Sequence, residues 1–118
     1  MDPRGPTRSE QAESISQEIA SIHWDSYEYA LPSVQTIVED GYVAAVLRFV
    51  LLPAELLVIA AGDGGSVLRL HHESELELET ALRAAVERTT GRMVHAFETQ
   101  TNVEQGLALE LFVLGPRP

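Results

Sequence analysis

"YVAAVLRFVLLPAELLVIAA", residues 42–61, is the longest apolar stretch of the chain, and its reading decides whether the protein sits in a membrane or folds in water. Its length is near that of a bilayer span, which needs about 20 apolar residues. Arg48, Pro53 and Glu55 nevertheless stand near its middle. Each charge at that depth costs about 2.5–3.5 kcal/mol on insertion scales, and a proline interrupts the hydrogen-bond ladder of a single helix. The run therefore divides at Pro53. A β-branched and aromatic strand covers Tyr42 to Leu51, and a helix follows with the proline in its first turn, where a missing N–H does no harm. The protein is expected not to span a membrane.

Along that strand Val43, Ala45, Leu47, Phe49 and Leu51 share one face, while Tyr42, Ala44, Val46, Arg48 and Val50 share the other. The second face is nearly as apolar as the first. A monomer rarely exposes such a patch, so Val46 and Val50 are expected at an interface with another element or with a second copy of the chain.

Before the strand, "SVQTIVEDGYVAAVLRFVL" reads as a hairpin turning at Glu39-Asp40-Gly41, with Asp-Gly suited to a tight type I′ turn. Earlier still, Ser9 is expected to cap a helix whose Ala12, Ile15, Ile19 and Ile22 form one apolar stripe. Trp24, Tyr27 and Tyr29 extend it, and "LPS" at 31–33 ends it. Beyond the opening run, "GDGG" at 62–65 breaks the helix. Residues 66–73 fit either helix or strand. Ser66 or Ser74 restarts helical structure, and Ser74 with Glu77 has capping-box spacing for a helix carrying Leu78, Leu82, Ala85 and Val86, which Gly91 closes. "RMVHAFETQ" and "LALELFVL" then alternate as two strands around "TNVEQG". The expected fold is α+β: a four-stranded antiparallel sheet with helices packed on one face, in the order α-β-β-α(broken)-β-β. Residues 9–115 make one domain, preceded by a disordered tail at 1–8.

Composition excludes several functions. The chain has 118 residues, no cysteine and a net charge of −10. Without cysteine there is no disulfide, thiolate metal site or thiol nucleophile, which fits a cytoplasmic protein. The polar N-terminal "MDPRGPTRSEQAES" lacks the apolar h-region of a signal peptide. The acidic balance argues against a nucleic-acid partner, because phosphate neutralisation needs a basic face.

Few residues offer chemistry. His71-His72-Glu73 lacks the i, i+3 or i+4 spacing of a helical metal pair and reads as a solvated helix end. "GDGG" has neither the oxygen spacing of a calcium loop nor the lysine of a phosphate loop. No metal or other cofactor is expected. His95 is a lone strand histidine. Glu55 follows Pro53 in a helix first turn, where it favours the N-terminus electrostatically, and Arg48 is its candidate partner. Trp24 and Tyr27 are core or interface anchors, or line a ligand pocket between the first helix and the sheet.

Two segments, "EIASIHWDSYEYALPSVQTIVEDGYVAAVLRFVLLPAELL" and "TTGRMVHAFETQTNVEQGLALELFVL", resemble a bacterial family of formerly unknown function, the MpsC-like domains of a sodium-translocating, membrane-potential-generating system. The resemblance covers residues 15–114. It implies a place beside a membrane ion-translocation or bicarbonate-uptake assembly. The chain departs from the family pattern at three places. Tyr29, Ala30 and Leu31 replace turn glycines. Leu52 replaces a threonine before "PAE", deleting a side-chain N-cap, and Gln100 stands where an aspartate is usual, offering only a neutral amide. The combined expectation is a non-enzymatic, self-associating cytoplasmic accessory or regulatory domain; a small-molecule or ion-sensing domain is the alternative.

Overall fold

In a computed structural model, residues 5–27 and 31–117 are described. The first helix, α1, spans Arg8–Tyr27. It begins two residues earlier than a Ser9 cap implies, because Thr7 and Glu10 form the reciprocal bonds of a capping box. The Glu10 N–H donates to Thr7 Oγ1, and the Thr7 N–H donates to Glu10 Oε1, each at 3.1 Å. Sequence reading chose the wrong hydroxyl because Ser9 also precedes the apolar stripe. The expected tail at 1–8 is thus drawn into the cap at Thr7 and Arg8, while residues 1–4 lie outside the described residues, as do Tyr29, Ala30 and the side chain of Tyr27.

The sheet contains β1 (Ser33–Val38), β2 (Tyr42–Arg48), β3 (Val94–Asn102) and β4 (Leu107–Leu114). It is antiparallel throughout, in the order β1-β2-β4-β3, so two hairpins are joined through a central β2–β4 seam. The expected hairpin is present, but Gly41 does not take a positive φ, so the turn is not type I′. It closes by the Glu39 N–H donating to the Tyr42 carbonyl at 2.9 Å. Strand β2 stops at Arg48, earlier than Leu51. Phe49 leaves the β2–β4 pairing and its N–H turns to the Gly106 carbonyl, at 2.9 Å.

Three helices connect β2 to β3: α2 (Pro53–Ala60), α3 (Gly64–Glu77) and α4 (Glu79–Thr90). Residues 66–73 are helical. Ser74 does not start a helix; its hydroxyl donates back to the Leu70 carbonyl at 2.9 Å, inside α3. The interruption falls at Leu78 instead, and Gly91 ends α4 in the left-handed conformation with φ 71°, as its position after Thr90 implies.

Helices cover one face of the sheet. Ile15 and Ile19 of α1, with Leu82 and Val86 of α4, meet Val43, Ala45 and Leu47 of β2 and Phe112 of β4 in one buried core. The alternation of β2 is therefore read correctly: its odd-numbered residues face the core.

Candidate functional site

Two features stand out: the uncovered face of the sheet, and a polar cluster beneath the helices. On the uncovered face, Ile37, Tyr42, Val46, Leu109 and Val113 are exposed, with Ala44 and Leu111 between them. The ladder places Val46 beside Leu109, and Leu109 beside Gln100. Arg48 and Glu98 are the charged residues among the outward positions of the paired strands. Val46, Leu109 and Gln100 also line an open groove of about 880 Å³ together with Ile59, Gly64 and Leu68. Helix α2 adds Leu56 and Leu57 to the exposed apolar surface and contains no buried residue.

The other residues singled out from sequence are dispersed. Val50 lies beyond β2 and is exposed. Trp24 is also exposed, at 53%. His95 sits at an irregularity in β3, where the register shifts between Val94 and Ala96, with its ring close against the backbone of Gly115. Glu55 does not take Arg48 as its partner. Its Oε1 accepts from the Leu52 N–H at 2.9 Å, which supplies the helix cap that Leu52 itself lacks, and its Oε2 meets His71 Nε2 at 2.7 Å. His71 is thus a half-buried side chain within α3, stacked on Phe49 with ring centroids 4.4 Å apart, rather than a solvated helix end.

The polar cluster was not anticipated from sequence. It joins His23 of α1, Glu75 of α3 and Glu110 of β4, all buried, with Glu110 fully so. His23 extends the Ile15–Ile19 stripe by one further turn, and Glu110 occupies an inward position of β4 between Ala108 and Phe112. The His23 Nδ1–H donates to the Ile19 carbonyl at 2.9 Å, which fixes the ring and turns Nε2 toward the carboxylates. Nε2 lies 2.9 Å from Glu75 Oε1 and 3.8 Å from Glu110 Oε2. No N–H or hydroxyl among the described residues donates to either oxygen of Glu110 or to Glu75 Oε2, and the two carboxyls face each other as a hydrogen-bonding pair.

Burial, and then the neighbouring Glu75 carboxylate, push the Glu110 carboxyl well above its ordinary range. Burial acts on Glu75 in the same direction, but the Glu110 and His23 side chains beside it outweigh that effect and hold it below its ordinary value. The signal available in the sequence was an acid at an inward strand position and a histidine on an apolar helical stripe, but their separation along the chain hid the association.

The family described as Na+-translocating membrane potential-generating system (MpsC) matches over residues 7–115. No curated protein and no solved structure matches the chain. Among the described residues no helix is long and apolar enough to cross a membrane. With the match running from the cap of α1 past the end of β4, the chain belongs to the MpsC family.

Proposed function

We propose that the protein is a non-enzymatic accessory or regulatory domain on the cytoplasmic side of a membrane sodium-translocation system, and that it self-associates through the uncovered face of its sheet. The family's description, a Na+-translocating membrane potential-generating system, supports that context. The observation that carries the self-association is the run of exposed Ile37, Tyr42, Val46, Leu109 and Val113 across three adjacent strands. A second copy is the occupant that charge favours. The chain carries a net −10, which opposes contact between copies over most surfaces, whereas this face presents Arg48 and Glu98 within an apolar field. A two-fold contact would set the same patch against itself.

Native mass spectrometry and light scattering test the proposal on the purified chain. The wild type is expected at a multiple of 12.9 kDa. V46D is expected to shift it to the monomer while leaving the fold intact, because an unpaired charge in an apolar interface is costly to desolvate. A wild-type monomer at micromolar concentration, or a folded V46D protein with unchanged mass, would refute self-association by this face.

A further inference from the structure

We propose that His23, Glu75 and Glu110 form a binding site for one divalent transition-metal ion of the zinc class, held by the histidine nitrogen and the two carboxylates.

The donor atoms, one from each side chain, all lie within 4.8 Å of one another. Zinc binds imidazole nitrogen and carboxylate oxygen at about 2.0–2.2 Å, so one ion fits between His23 Nε2 and Glu110 Oε2, which stand 3.8 Å apart. The 2.9 Å separation of Nε2 from Glu75 Oε1 is compatible with two ligands on adjacent vertices of one coordination shell. A ligating histidine commonly donates its other ring N–H to a backbone carbonyl, which fixes the tautomer and aims the free lone pair. His23 makes that bond to Ile19 without a metal being needed to set it up.

A second, independent observation is the state of Glu110. It is fully buried and faces the histidine, and among the described residues no N–H or hydroxyl donates to its oxygens, which meet the Glu75 carboxyl and His23 instead. Buried polar groups are nearly always satisfied, and an orphaned carboxyl in a core therefore needs a reason. A divalent ion supplies one. Two carboxylates and a neutral imidazole balance its charge, and Glu110 Oε2, which no N–H or hydroxyl reaches, gains a cation to bind. The histidine nitrogen distinguishes the site from one built for sodium, because hard alkali and alkaline-earth cations take oxygen ligands.

The test uses the full chain, stripped with EDTA and dialysed against micromolar ZnCl2, with bound metal counted by mass spectrometry. One zinc per chain is expected. E110Q and H23Q should weaken binding by at least about tenfold, whereas H72A and H95A should not. E110L provides a second variant in case E110Q folds poorly, with circular dichroism as the check. X-ray absorption of the zinc-loaded wild type should show one imidazole nitrogen among oxygen ligands. Binding that survives E110Q unchanged, a coordination shell with several imidazoles, or a thermal shift produced by NaCl and not by ZnCl2 would overturn the proposal.

Discussion

Replacing Glu110 by leucine should stabilise the metal-free protein, the reverse of what a core substitution usually does. Glu110 is fully buried beside the Glu75 carboxyl, and among the described residues no N–H or hydroxyl donates to either of its oxygens. An unsatisfied buried polar group costs about 1–3 kcal/mol. Leucine at the same inward position removes that cost and adds apolar contact with the core formed by Ala108 and Phe112. The change in side-chain shape takes back up to about 1.5 kcal/mol. The balance is a gain of roughly 1–2 kcal/mol, within the 1–4 kcal/mol seen when buried ionic groups are replaced by apolar ones. In a domain of this size that raises the melting temperature by about 4–10 °C. Urea unfolding in EDTA, followed by circular dichroism, measures it. With zinc at a hundred times its dissociation constant the wild type alone gains about 2.7 kcal/mol, and the order of stabilities should invert. A natively folded E110L protein that is less stable than wild type by more than about 1 kcal/mol in EDTA would show that Glu110 is well satisfied in the core, and the reasoning fails.

Leu47→Ala should cost about 2–5 kcal/mol in denaturant unfolding, because Leu47 is 1% exposed on the covered face of a central strand. Gly106→Ala should destabilise by more than about 1 kcal/mol, since Gly106 has φ 64° and an added Cβ would stand 2.7 Å from the Phe49 carbonyl oxygen; a neutral thermal shift counts against it. Glu55→Ala removes both the cap on Leu52 and the bond to His71, and should lose about 1 kcal/mol by thermal unfolding. Val113→Asp, on the uncovered face, should lower the oligomeric mass as V46D does, with the unfolding midpoint of the monomer little changed.

The fold was legible in the sequence where the periodic signal was strong and its boundary chemistry local. Alternation in β2 and β4, the apolar stripe of α1 and Gly91 after Thr90 each carried their own evidence. The errors lie where two local signals competed. Ser9 and Thr7 both offered a cap, and only Thr7 had its glutamate three residues on. Ser74 and Glu77 had capping-box spacing, yet a serine inside a helix satisfies its hydroxyl on a carbonyl of the preceding turn. Arg48 was paired with Glu55 from proximity along the chain, whereas His71 lies one helix away and reaches it from α3. The uncovered face was visible through Val46. The polar cluster was not, because His23, Glu75 and Glu110 come from three separate elements, and spacing rules detect ligands only when they share one.

The strand order has a kinetic consequence. Each hairpin closes on local contacts, but the seam between β2 and β4 pairs Val46 with Leu109, so the chain must shut a long loop before the halves reward each other. His23 precedes that loop, Glu75 lies within it and Glu110 is on its far strand. Neither hairpin alone brings the three together. Their meeting therefore marks completion of the seam, and the last major barrier to folding is expected to be crossed as the two hairpins dock rather than as either one forms.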